Sequence, residues 1–150
     1  MHGKIVLLLS CVAWGTAAAP AQPVPKWRWS LASELHADTL NGKKPPINPQ
    51  IDDSKDSYCD TAMSEALLDR FLREGLEDEC KFDRRSYADG KVSYAFRCEN
   101  QTDKTSMIAT GAGTYDERGL RVDVKVHAMY GSNEMYGSGS LVGVRNERCN

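Results

Sequence analysis

The sequence predicts a mainly β protein of the α+β class, built as a curled or barrel-like antiparallel meander of about six strands. One helix packs over the meander, and two disulfides hold it. Three observations predict this fold. Apolar and polar residues alternate along several segments separated by short turns. One segment changes to helical spacing. Four cysteines remain after a predicted N-terminal signal, and an even count is typical of disulfides in an exported protein.

Residues 1–21 have the pattern of a secretory signal peptide, with a basic start, an apolar run over residues 5–14 and small residues before the cleavage site. Cleavage is predicted after Ala19 or Ala21. The apolar run is too short for a transmembrane segment, which needs about 20 residues. The expected location is therefore the periplasm or the medium outside the cell.

A lipid anchor at Cys11 is the alternative for this segment, since the residues before it loosely resemble a lipoprotein cleavage box. The remaining residues, 22–150, are predicted to form a single domain, with a modest core that the disulfides supplement. The formal net charge is −2 at pH 7, and basic residues are scattered. Nucleic acid is therefore not an expected partner.

The first strand is predicted over residues 26–40, where Trp27, Trp29 and Leu31 begin a period-two pattern. Residues 41–57 contain turn formers, adjacent prolines and acids, which predict an exposed loop.

Residues 61–74 then show apolar side chains at helical spacing, and we expect one amphipathic helix there, capped by Thr61 or Ser64. Three further strands are predicted over residues 104–115, 120–129 and 135–145, and the last of them can pair with the first strand of the chain.

Between the helix and these strands, residues 80–98 read as a hairpin. A three-residue loop, Ala88-Asp89-Gly90, sets Phe82 opposite Phe96 and Cys80 opposite Cys98, whereas a two-residue Asp-Gly loop would set Phe82 against Arg97. The apolar pattern favours the longer loop and predicts a Cys80–Cys98 disulfide.

By elimination, the second disulfide joins Cys59 to Cys149. No metal site is predicted, because the cysteines lack the close paired spacing of zinc ligands. His36 and His127 fall on the polar faces of strands, and no motif places a nucleophile beside either of them. The sequence therefore predicts no catalytic and no cofactor-binding residue.

Six aromatic residues are candidates for an apolar lining of the curled sheet. We expect a sheet of this size to fill its interior with its own side chains, and the alternative is that it holds a small apolar ligand. The six candidates are Trp27, Trp29, Phe82, Tyr94, Phe96 and Tyr115.

Several motifs along the chain also carry a family resemblance. They are the aromatic first strand (Trp27, Trp29), Cys59-Asp60-Thr61, Cys80 and Cys98 around Asp89-Gly90, residues Gly111 to Tyr115, Gly137-Ser138-Gly139, and Cys149. With these motifs the sequence resembles the domain of unknown function family 3617 of secreted bacterial proteins. The resemblance implies a periplasmic or envelope-attached protein without an assigned reaction.

The function predicted from these observations is a non-enzymatic binding or interaction domain of the bacterial envelope, whose partner is an unknown envelope protein. The alternative is a carrier of a small apolar ligand or lipid within the curled sheet. A hydrolase is the third reading. No cofactor is expected.

Overall fold

The computed structural model describes residues 24–47, 49–74 and 80–149. The predicted signal peptide and Cys11 lie outside them. The elements in chain order are β1 (Trp27–Leu40), β2 (Gln50–Asp60), α1 (Glu65–Glu74), β3 (Cys80–Ala88), β4 (Lys91–Asn100), β5 (Thr105–Tyr115), β6 (Gly119–Tyr130) and β7 (Asn133–Arg148). Within these residues, no helix has the length and apolar character needed to cross a membrane.

The strands form one antiparallel sheet in the order β2-β1-β7-β6-β5-β4-β3. The sheet is open and curled, and it has one strand more than the approximate six predicted. As predicted, the first strand pairs with the last, from Trp27 opposite Arg148 to Leu40 opposite Met135. The mainly β architecture with one helix and two disulfides is therefore confirmed.

The concave face of the sheet carries the core, and α1 packs into it. On β6, Leu120, Val122, Val124 and Val126 are all buried, and the residues between them face outward. The helix contributes an apolar stripe at helical spacing, as predicted. Its buried members are Leu67, Leu68 and Phe71.

The helix connects the two edge strands and touches both of them. The Phe71 ring meets the Tyr58 ring of β2 edge-on, with centroids 6.4 Å apart. On the other side, the Arg85 guanidinium of β3 donates a hydrogen bond of 2.8 Å to the Asp69 carboxylate. The helix therefore lies across the concave face, with one flank against each edge.

The predicted exposed loop over residues 41–57 is wrong in its second half, because β2 begins at Gln50. This strand pairs with β1 at the edge of the sheet. Edge strands commonly carry charges that discourage pairing with another chain, and Asp53 and Lys55 are exposed here. Because of these charges, the segment lacks the alternation of apolar and polar residues that predicts a strand. Tyr58 is a buried residue of β2.

The predicted helix over 61–74 begins four residues too early. The structure starts α1 at Glu65, and Ser64 is its cap, since the Ser64 hydroxyl accepts a hydrogen bond of 3.1 Å from the Leu67 amide. Thr61 precedes the helix, and its amide donates to the Asp60 carboxylate.

The predicted three-residue hairpin loop is also wrong. The turn has two residues, Asp89 and Gly90, both with positive φ (54° and 71°), and Ala88 pairs with Lys91. A β-bulge between Phe82 and Arg84 restores the predicted pairing beyond it, so Cys80 still faces Cys98.

The bulge also changes which side chains face the helix in the half of β3 nearest the turn. Arg85 pairs with Tyr94 and Tyr87 with Val92, whereas the predicted register paired Arg84 with Tyr94 and Ser86 with Val92. Arg85 therefore points toward the helix, where its guanidinium meets the carboxylates of Glu65 (3.0 Å) and Asp69.

Candidate functional site

A cavity of about 410 Å³ lies between α1, β2 and the concave face of the sheet. Its walls are predominantly apolar. The lining residues are Ser33, Leu35, Ile51, Ser54, Lys55, Asp56, Phe71, Leu72, Tyr94, Phe96, Met107, Ala109, Val124, Val126 and Leu141. Small-molecule sites in proteins are usually concave, mostly apolar and of this general volume.

The polar lining residues lie together on one side of the cavity. Ser33 comes from β1, and Ser54, Lys55 and Asp56 come from β2. The Asp56 carboxylate also accepts a hydrogen bond of 3.0 Å from the Tyr58 hydroxyl. Because Lys55 and Asp56 carry opposite charges, this side has no net charge that would select an ion.

Two inward-facing glycines of β7 allow other residues to pack closely against the strand. Gly137 lies beside Ile51 of the cavity wall, and a Cβ at this position would meet both the Ile51 side chain and the backbone of His36. Gly143 occupies an equivalent inward position farther along β7, where Met63 fills the space above it. Glycine at these positions therefore allows Ile51 and Met63 to pack closely against β7.

Two of the six predicted lining aromatics, Tyr94 and Phe96, reach the cavity. Their rings are stacked, with centroids 6.0 Å apart. Trp29 is fully buried elsewhere in the core, where its indole nitrogen donates to the Asp60 carbonyl at 3.3 Å.

The other three are half-buried and pack against the edge of the core. Trp27 lies under the guanidinium groups of Arg145 and Arg148, and Tyr115 stacks on Tyr87 at 3.8 Å. Phe82 packs edge-on against Phe96. These three side chains therefore cover the core but do not line the cavity.

The sequence did not predict the contribution of the helix and of β5 to the cavity. Phe71 and Leu72 form the wall opposite the sheet, and Met107 and Ala109 lie on the sheet side. The helical spacing of Phe71 and Leu72 predicts an apolar helix face but does not predict that this face lines a cavity.

Tyr94 is a lining residue whose phenol group is buried. It is only 3% exposed, and burial raises the pKa of its phenol, so the hydroxyl keeps its proton. The phenol end of the ring lies over Gly111 of β5, where any Cβ would collide with it. Gly111 pairs with Val124, another lining residue, so the ring extends across β5 toward β6.

The two histidines lie on the outer face of the sheet, as predicted. His36 Nε2 hydrogen-bonds the Glu34 carboxylate at 2.9 Å. His127 Nε2 hydrogen-bonds the Glu134 carboxylate at 2.9 Å and its ring stacks on Tyr136. Neither histidine lines the cavity.

Both predicted disulfides are present. Cys80 and Cys98 face each other across β3 and β4 with Cα atoms 4.0 Å apart, and Cys59 and Cys149 have Cα atoms 6.1 Å apart. Disulfides of this kind are typical of proteins that fold in an oxidising compartment. Across residues 24–47, 49–74 and 80–149 there is no cluster of three or more His, Cys, Asp or Glu residues that could hold a metal ion.

Comparison of the chain with protein-family models, with curated proteins and with solved structures found no match. The resemblance to the domain of unknown function family 3617 therefore stays a prediction.

Proposed function

We propose that this protein is a non-enzymatic binding protein of the periplasm or extracellular space, and that it holds a small apolar ligand between α1 and the concave face of the sheet. The observation that carries the proposal is the apolar cavity of about 410 Å³. The proposal joins the two leading sequence predictions, a binding domain and a carrier of an apolar ligand.

The volume of the cavity favours an occupant larger than a solvent molecule. An apolar cavity of roughly 150 Å³ is enough to bind benzene. The 410 Å³ found here would therefore hold a ligand two to three times larger. Filling the cavity would remove apolar side chains such as Phe71 and Met107 from water, which is the main driving force for binding of this kind.

The location within the proposal is supported by two independent features. The pattern of residues 1–21 is that of a signal for export, and both disulfides suit an oxidising compartment. The outer-face positions of His36 and His127 give them no part in ligand binding under this proposal.

Native mass spectrometry of protein exported to the periplasm tests the proposal, together with displacement of a neutral fluorescent naphthylamine probe. We expect a reproducible bound mass or saturable probe binding. The variant Ala109→Phe adds a ring at a lining position and should abolish binding, because the ring takes up space that the ligand needs. Since Ala109 is only 1% exposed, circular dichroism first establishes that the overpacked variant is folded. Its matched control is Ala112→Phe, at an exposed position of the same strand, which should bind as the unmodified protein does.

Two results would contradict the proposal. One is the absence of both a bound mass and saturable probe binding. The other is equal binding by the folded Ala109→Phe variant and the unmodified protein, which would place the ligand elsewhere.

A further inference from the structure

Tyr94 differs from Tyr58 and Tyr87, two other tyrosines that pack in or against the core, in the hydrogen bonding of its hydroxyl. The Tyr58 hydroxyl donates to the Asp56 carboxylate at 3.0 Å, and the Tyr87 hydroxyl donates to the Met63 carbonyl at 2.7 Å. In the part of the chain that the structure describes, the Tyr94 hydroxyl has no such partner. The hydroxyl is not fully enclosed, and the Tyr94 side chain is part of the cavity wall.

A hydroxyl in apolar surroundings is unfavourable unless it forms a hydrogen bond. A core position that only needed an aromatic ring could be filled by phenylalanine, as Phe96 does one inward position farther along β4. Gly111 keeps the space that the phenol end of Tyr94 occupies, because a side chain there would clash with it. The absence of a side chain at Gly111 therefore leaves room for the Tyr94 hydroxyl in the wall of the cavity.

We infer that the Tyr94 hydroxyl donates a hydrogen bond to an uncharged acceptor oxygen of the ligand, such as the carbonyl of a ketone or ester, and so fixes the orientation of an otherwise apolar molecule. This inference rests on the proposed function. It deepens that function by naming the ligand class, an apolar chain or ring system that carries one carbonyl group.

The charges around the cavity favour a neutral acceptor over a carboxylate. A desolvated carboxylate needs a positive partner beside it. Lys55 lines the cavity, but its amine lies 3.5 Å from the Asp53 carboxylate, and Asp56 is its neighbour on β2. Tyr94 lies on β4, with four strands of the sheet between it and β2. Arg85 pairs with Tyr94 on β3, but its guanidinium is already bound to the carboxylates of the helix, so neither cation is free to pair with a ligand carboxylate beside the hydroxyl.

The test uses two ligands and three proteins, with displacement of the neutral naphthylamine probe as the readout. The ligands are methyl octyl ketone and the alkene in which a methylene group replaces the carbonyl oxygen. The unmodified protein should bind the ketone more tightly than the alkene. In Tyr94→Phe, ketone binding should weaken about two- to tenfold, the usual range for one neutral hydrogen bond, while alkene binding stays the same.

The control variant is Tyr87→Phe, which removes a hydroxyl that bonds the chain itself and should leave the ketone preference intact. An infrared measurement covers the case in which Tyr94→Phe does not fold. The carbonyl stretch of isotope-labelled ketone bound to the unmodified protein should move to lower frequency than in hexane.

The outcomes separate the two proposals. Binding of both ligands with no effect of Tyr94→Phe and an unshifted carbonyl stretch would overturn the role of Tyr94 and leave the apolar cavity as the binding site. Failure of both ligands and of the probe to bind the unmodified protein would overturn the proposed function itself.

Discussion

The disulfide between Cys59 and Cys149 closes a loop of 90 residues, whereas that between Cys80 and Cys98 closes one of 18. In the chain-entropy treatment, a cross-link stabilises the fold by restricting the unfolded chain, and the gain grows with loop length. For these separations it is about 4.6 kcal/mol for the long loop and about 3.2 kcal/mol for the short one at 25 °C. We therefore expect removal of Cys59 and Cys149 to lower the free energy of unfolding by about 1.4 kcal/mol more than removal of the other pair.

Both pairs are replaced by alanine, so that each variant keeps its Cβ atoms and leaves no free thiol. Denaturant titration followed by tryptophan fluorescence gives the free energy of unfolding of each variant. Since a small domain is stable by only about 5–15 kcal/mol, either loss is readily measured. An equal or larger loss in the Cys80/Cys98 variant would refute loop closure as the dominant effect and point to native packing, because Cys98 packs against the core.

Three further predictions concern the sheet, the helix and a turn. Gly113→Ala should lower the free energy of unfolding by about 1–3 kcal/mol in denaturant titration, because its Cβ would collide with the Arg121 carbonyl. The control Ala112→Ser, at the exposed neighbouring position of β5, should stay within about 0.5 kcal/mol. Arg85→Met should cost less than about 1 kcal/mol and less still in high salt, because the ion pairs of Arg85 with the helix are half-exposed; a loss that salt does not reduce would contradict this. The amides of Arg118 and Gly119 hold the pKa of Asp116 below its usual 3.8, so its contribution to stability is present above that pH and is lost as pH falls through the lowered pKa. A carboxyl titration by NMR with a midpoint at or above 3.8 would contradict it.

Where one face of a strand meets the core and the other meets water, the sequence pattern was sufficient to predict the strand. The alternation along β6, with Val122 and Val124 buried between exposed residues, left no other register. The edge strand β2 could not be predicted from the same pattern. Only one of its sides is paired, and charged residues, which suit its free edge, take the place of an apolar alternation.

The hairpin of β3 and β4 shows a conflict that the sequence could not resolve. The Asp89-Gly90 step favours a two-residue turn, while the facing Phe82 and Phe96 favour a register with one residue more. The structure satisfies both with a bulge after Phe82. Both disulfides were predicted correctly because the register beyond the bulge is unchanged.

The cavity was harder to predict than the fold, because its size depends on how far the sheet curls around the helix. Six aromatic residues suggested a lining, yet of these six only Tyr94 and Phe96 reach the space. The informative residues were small ones, such as Ala109, which lines the cavity, and Gly137, against which Ile51 of the cavity wall packs. Absent side chains leave no periodic signal in a sequence.

The two halves of α1 have separate roles in this arrangement. The entry to the helix is fastened to its surroundings, because Ser64 caps it and the Tyr87 hydroxyl holds the Met63 carbonyl just before it. The other half supplies Phe71 and Leu72 to the cavity wall. Contacts outside the cavity therefore set the position of this wall. Substitutions at the capped N-terminal end of the helix should mainly lower stability, and substitutions at Leu72 should mainly weaken ligand binding.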